Sequence, residues 1–368
     1  MNDRTEDKRL LEALAGLSRY AGARPAYVQG GGGNSSVKLS AGRMAIKASG
    51  FLLRQMTAED GYSVVPYDRI RSFYKLLSPA DSGIEEAGQA LIHDRVEANR
   101  AGEVRRPSVE MGFHALLGRF VLHTHSVYAN LLCCARRGRV LAAEILGPEA
   151  ETRDGKRWDW IPYTNPGFAL ALLFRPAAEA ARKEGADVQI FLMQNHGLAV
   201  TADTAEACQA AHEALNRRVA ERFHLCPEAY PAVGVREEGG LVSSDTPYLD
   251  RAFTAAREKG RPYDAAFFHR ETLYPDQLVF LEKVRDGADG EEPAADEALI
   301  GPDGKRRYRM SAAKAQVIEE TLTALVCIFE TLEREGLAYS RMSADARSFI
   351  ENWEAEAYRR KLAQGSAR

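Results

Sequence analysis

The sequence predicts a layered α/β domain followed by a smaller, mainly helical extension. Three features carry this reading. Apolar positions recur at helical spacing in several stretches, short apolar or alternating runs of strand length lie between them, and the texture changes after about residue 230. At 368 residues the chain exceeds the size at which one hydrophobic core usually stops growing, so two domains are expected.

Residues 7–22 place Leu10, Leu11, Leu14 and Leu17 on one helical face and read as an opening amphipathic helix. Gly30 to Gly33, Asn34, Ser35 and Ser36 lead into Val37 and Leu39, then Met44 to Ile46, a strand–turn–strand pattern ending at Ala48-Ser49-Gly50. Residues 84–100 read as helix, and Ser108-Val109-Glu110 opens a short helix to about Leu117. A strand is expected from Arg119 to His125, and a helix from Tyr128 to Arg136. Val188 to Met193 has strand length and breaks at Asn195-His196-Gly197; a strand at 198–200 and a helix at 204–224 follow. The first domain is taken as 1–236. The second, 237–368, should hold a mobile acidic loop at 284–306 and helices at 311–335 and 343–363.

Composition is that of a globular protein, 45% hydrophobic and 27% charged. A formal charge of -3 gives no electrostatic reason for a nucleic-acid partner. The first nine residues lack a signal-peptide core, and no apolar run is long enough for a membrane span. Five cysteines, odd in number and without a C-x-x-C pair, fit a reducing compartment. A cytoplasmic location is expected.

The sharpest local pattern is His123-Thr124-His125. On a strand, residues two apart share a face, so both imidazoles can grip one cation. Alone, the pattern also fits two histidines that merely share a sheet face. His196, where an apolar strand breaks beside a glycine, would complete three imidazoles with a coordination position left open. Glu110 lies about 12 Å of helix before Gly118, and His123 about 16 Å of strand after it. A reversal at Gly118 would therefore bring that carboxylate back beside the cation, placed to exchange a proton with a substrate carbon. Read in isolation, Glu110 equally suits a first-turn helix position after a Ser108 cap. Gly30 to Gly33 could form an anion nest or a plain hairpin turn. The run matches neither nucleotide-binding glycine pattern, and one phosphate or carboxylate suits it better.

G-G-G-N-S-S-V-K at 31–38, K-A-S-G at 47–50, P-S-V-E at 107–110, H-T-H at 123–125 and Q-N-H-G at 194–197 together resemble the class II aldolase/adducin family. The likeness spans roughly residues 20–225. It is nearest to the aldolase part of bifunctional rhamnulose-phosphate aldolase/dehydrogenase proteins and their stand-alone relatives, with no dehydrogenase half expected here. The resemblance implies a three-layer α/β/α sandwich assembled as a homotetramer. It also implies a divalent cation on His123, His125 and His196, with zinc favoured by three imidazoles, and Glu110 as the acid/base. Gly33, Asn34, Ser49, Gly50 and Ser108 would surround a substrate phosphate. Val109 stands where small aldolases of the family carry a second phosphate-binding serine, and Tyr163 is the nearest candidate for their catalytic tyrosine. The implied activity is reversible retro-aldol cleavage of a small ketose phosphate through a metal-stabilised enediolate. Epimerisation or decarboxylation on the same metal site is one alternative, and a non-catalytic, adducin-like assembly module is another.

Overall fold

The computed structural model describes residues 3–78 and 81–352. In chain order the first elements are α1 (Asp3–Gly22), β1 (Asn34–Lys38), β2 (Arg43–Lys47), β3 (Tyr62–Pro66), α2 (Tyr67–Lys75), α3 (Ile84–Ile92), α4 (Met111–Leu116), β4 (Phe120–Thr124) and α5 (Val127–Cys133). There follow α6 (Gly138–Leu146), β5 (Lys156–Ile161), α7 (Phe168–Glu184), β6 (Val188–Met193), β7 (Gly197–Ala202) and α8 (Ala205–Arg222).

These strands make one seven-stranded sheet, order β3-β2-β1-β4-β7-β6-β5, antiparallel except for β5 beside β6. The central strands β4, β6 and β7 are buried on both faces, and so read as continuous apolar runs with histidine at their ends. On one face, Val121, Phe191, Met193 and Ala199 pack with Phe113 of α4, Phe174 of α7, and Tyr74 of α2. The opposite face carries α1, α5 and α8; there Cys208 of α8 sits against the Val200 carbonyl. The expected three-layer arrangement is therefore present.

The helix expected over 84–100 stops at Ile92. Glu97 instead bridges to Val64 beside β3, and Asn99 donates to Asp60 Oδ1 at 2.7 Å, which draws the segment onto the sheet edge.

The chain divides into two compact units. The described residues up to Cys133, with Gly138–Val219, form the first; Cys134–Arg137 and those from Ala220 onward form the second. The division falls inside α8 rather than near residue 236. Buried Phe223, just past that helix, belongs to the second unit, where its carbonyl accepts from Arg334 at 2.5 Å.

The second unit contains β8 (Val235–Glu238), β9 (Leu241–Ser244), α9 (Pro247–Glu258), α10 (Ala265–Arg270), α11 (Pro275–Phe280), β10 (Val284–Asp286), β11 (Ala298–Ile300), β12 (Arg306–Tyr308), α12 (Ala312–Arg334) and α13 (Ala344–Asn352). Its helices accompany a five-stranded sheet, order β10-β11-β12-β9-β8. The segment 284–306, expected as a mobile loop, thus supplies β10, β11 and the start of β12. Val284, Ala298, Leu299 and Ile300 are buried there, and Arg285 gathers the neighbouring Glu291 and Glu297, so the acidic run is partly neutralised. Of the helix expected over 343–363, residues 353–363 lie outside the described residues. Among the described residues no helix is long and apolar enough to cross a membrane.

Candidate metal centre

Side-chain alternation along β4 sorts its residues between the two faces. Val121 and His123 face the α4 side, whereas Thr124 points the other way, its Oγ1 2.9 Å from His212 Nε2 of α8. His125 stands just beyond the strand. His196 comes from the turn between β6 and β7. Asn195 adopts a left-handed φ of 50° there, and its N–H donates to the Cys133 carbonyl at 2.9 Å. Gly197 then lets β7 pass close to β4: a Cβ at this position would lie 2.4 Å from the Thr124 carbonyl oxygen. The close approach holds His196 beside the histidine pair.

The three rings have centroids 4.8, 5.0 and 5.2 Å apart, and one nitrogen from each lies within 4.8 Å of the others. All three are buried, at most 3% exposed. His123 Nδ1 is 3.0 Å from the Leu198 carbonyl, which can only accept; Nδ1 therefore carries the proton and Nε2 keeps its lone pair. Burial pushes the His123 imidazolium down to about 3, so the ring is neutral near pH 7. His123 Nε2 and His125 Nε2 face each other at 3.0 Å. Two lone pairs at that distance repel unless a proton or cation lies between them. Zinc–nitrogen bonds of about 2.0–2.1 Å at tetrahedral angles put ligand nitrogens roughly 3.3 Å apart, so the donor set fits a divalent cation.

Glu110 sits at the N-terminal boundary of α4, and the chain reverses between Leu116 and Phe120. The reversal carries its carboxylate to the imidazoles: Oε1 lies 3.2 Å from His196 Nε2 and Oε2 3.5 Å from His123 Nε2. Asn34 donates to Oε2 at 2.7 Å, while Oε1 is buried without a well-directed hydrogen-bond donor. Burial alone would push this carboxyl up. The imidazoles of His123, His196 and His125 outweigh it and hold the carboxyl well below the usual carboxylate range.

Three motif segments converge around this cluster. Ala48 bridges to Pro107, the Ser108 N–H donates to the Lys47 carbonyl at 3.2 Å, and Lys47 Nζ donates to the Gly31 carbonyl at 3.1 Å. Gly33 (φ 62°) is pressed against β4, where a Cβ would lie 2.6 Å from the His123 carbonyl oxygen; glycine is thus required sterically as well as conformationally. Gly50 also has a left-handed φ, 77°, and Ser49 beside it is half-buried with its N–H on the Arg106 carbonyl. The Ser108 hydroxyl accepts from Asn34 Nδ2 at 3.1 Å.

Asn34, expected beside a phosphate, has its amide engaged instead. Its Nδ2 holds Glu110 and Ser108, and its Oδ1 meets His114 Nε2. His114, whose Nδ1 is 2.8 Å from Ser36 Oγ, thus braces the residue that braces Glu110. Lys47 and His114 lie within segments that carry the family resemblance but were given no role from the sequence, although the four-residue spacing of His114 from Glu110 on a short helix was a usable signal. Tyr163 leaves β5 at the same sheet end as His196, since Ile161 pairs with Met193, but its hydroxyl donates to Asn165 at 3.3 Å.

Residues 12–221 match the model of the Class II Aldolase and Adducin N-terminal domain. A curated relative, the uncharacterized oxidoreductase YuxG of Bacillus subtilis (strain 168), is 31% identical over 292 residues, which is 75% of this chain and 38% of that protein. The chain therefore spans well under half the length of that relative. Similar solved structures include the N-terminal class II aldolase domain of a conserved Thermoplasma acidophilum protein, at 24% identity and TM-score 0.44, covering 58% of this chain and 93% of that one. Another is the L-fuculose 1-phosphate aldolase of Glaciozyma antarctica PI12, at 13% identity and TM-score 0.39, covering 61% and 76%. The family model alone covers more than half of the sequence, and the chain belongs to the class II aldolase and adducin family.

Proposed function

We propose that this protein is a divalent-metal-dependent aldolase that reversibly cleaves a small ketose phosphate. The observation that carries the reading is the convergence of three buried imidazoles with a carboxylate oxygen that no well-directed hydrogen-bond donor occupies. His123, His125 and His196 would hold the cation, zinc being favoured by an all-imidazole set. When bound, it would supply Lewis-acid stabilisation of the enediolate left as the carbon–carbon bond breaks.

The remaining work falls to the chain's own side chains. Asn34 fixes Oε2 of Glu110, which leaves Oε1 to take a proton from, and return it to, the substrate carbon. Gly33, Ser49, Gly50 and Ser108 line the segments that would seat the phosphate, so that remote binding orients the reacting carbon. Tyr163 is the candidate for proton delivery on the aldehyde side, and a homotetramer would let neighbouring subunits contribute further groups.

The test is retro-aldol activity of protein loaded with zinc, cobalt or manganese across a panel of ketose phosphates. Glu110→Gln should retain the metal and lose about 10²–10⁴-fold in turnover, the worth of a positioned acid/base. Inversion or carbon dioxide release without cleavage would move the reading to an epimerase or decarboxylase. Purification without stoichiometric metal, and without turnover after loading, would leave an assembly module.

A further inference from the structure

A polar cavity of about 580 Å³ opens at the other end of β1 from the histidines. Asn34 pairs with His123 at one end of that strand, and Lys38 lines the cavity at the other, about 13 Å away along the chain. The two places are separate.

Three cations gather at this cavity on the last carbonyls of α4. Lys38 Nζ donates to the His114 carbonyl, Arg71 to Ala115 at 2.8 Å and to Leu117 at 3.3 Å, and Arg182 to Leu116 at 3.5 Å. Lys38 is only 8% exposed, Arg71 is half-buried, and Arg182 stands at the rim. Capping a helix end does not require so much charge, since a helix C-terminus presents roughly half a negative charge. Four carboxylates also line the cavity, and two of them are committed to arginines outside it. Asp7 is held by Arg43 at 2.7 Å and Glu6 by Arg9 at 3.0 Å, while Asp187 and Asp203 are solvent-exposed. Burial, with Arg71 and Arg182 adding to it, pushes the Lys38 ammonium well below its ordinary range, a penalty that a bound anion would relieve. Gln189 also lines the cavity, 6% exposed, and its Oε1 is buried without a hydrogen-bond partner. An unmet acceptor beside a cationic floor suits a hydroxyl group next to an anion.

From this arrangement we propose that the cavity binds a small hydroxylated phosphate ester, with the phosphate on Lys38, Arg71 and Arg182 and a hydroxyl donated to Gln189. The site does not depend on the aldolase reading and would stand if that reading failed.

Equilibrium dialysis of the full, metal-loaded chain against inorganic phosphate and against glycerol 2-phosphate tests it. The wild-type chain should bind both, and Arg71→Gln/Arg182→Gln should weaken both by at least ~10-fold, the effect of losing charge-assisted contacts. Gln189→Leu should weaken glycerol 2-phosphate and leave inorganic phosphate unchanged. If the double variant does not fold, Arg182→Gln alone, at an exposed position, should still weaken phosphate measurably. No binding by wild type at millimolar ligand would overturn the proposal. So would an isotherm that the arginine substitutions leave unchanged while His123→Ala abolishes it, since that places the phosphate at the metal centre.

Discussion

Gly197→Ala puts the geometry of the candidate metal centre under direct strain. The added Cβ would meet the Thr124 carbonyl oxygen at 2.4 Å and His125 Cδ2 at 3.0 Å, where ordinary contact begins at 3.4 Å. The first of these neighbours is backbone inside the β4–β7 ladder and cannot rotate away, so the strands must part by about 1 Å. Overpacking of this kind costs ~1–3 kcal/mol, and an unyielding partner argues for the upper end. Metal sites tolerate ligand displacements of only about 0.2 Å, so a separation of this size should remove His196 from the other two imidazoles. The assay is metal content after dialysis, with a denaturant midpoint on the metal-free protein. Gly16→Ala is the control: it lies in exposed helix with nothing within 4 Å of an added Cβ, and should gain ~0.5–1 kcal/mol without changing metal content. Gly197→Ala protein with full metal and an unchanged midpoint would refute the claim that this close approach sets the histidine geometry.

Three further predictions concern stability. Glu319→Ala removes the 3.1 Å partner of Arg306, whose side chain is 1% exposed, and should cost ~3–5 kcal/mol in a denaturant titration; the exposed Asp250 at 3.0 Å places the loss toward the low end. Loss of the exposed Glu333 opposite Arg261 should cost no more than ~0.5 kcal/mol in the same titration. Burial lowers the pKa of His212 to about 3, against ~6.5 in the unfolded chain. The unfolded state binds the extra proton between those values. Stability is therefore complete above about pH 6.5 and is lost as the pH falls toward 3, at up to ~1.4 kcal/mol per unit for each such group. His212→Gln should reduce that slope by one proton in urea midpoints between about pH 6 and pH 4, and an unchanged slope would contradict it.

The parts of the site that were legible in the sequence are those where local spacing determines position. His123 and His125 are neighbours by strand alternation, and Glu110 was recoverable because α4 and β4 are antiparallel segments of comparable reach around Gly118. His196 was marked by the glycine that ends its turn. Partners that meet across layers were less visible. The Asn34–Glu110 contact links β1 to α4 over 76 residues, and an amide in a glycine-rich segment suits an anion equally well until the carboxylate is seen beside it. Lys47 was hidden for the same reason, since its acceptor is a main-chain carbonyl in a different motif. Over 84–100 the helical pattern persists past Ile92, but pairing of Glu97 with Val64 overrides it. Over 284–306, strands of three residues are too short to show a period, and acidic neighbours obscured them until Arg285 was seen to hold Glu291 and Glu297.

The central claim is that three imidazoles from two parts of the sheet share one cation. Its most direct test is elemental analysis of purified, dialysed protein, wild type against His123→Ala, His125→Ala and His196→Ala, each checked for an intact fold. One divalent ion per wild-type chain and little or none in each folded variant is the expected result. A folded His196→Ala protein that still carries a full equivalent of metal would contradict it.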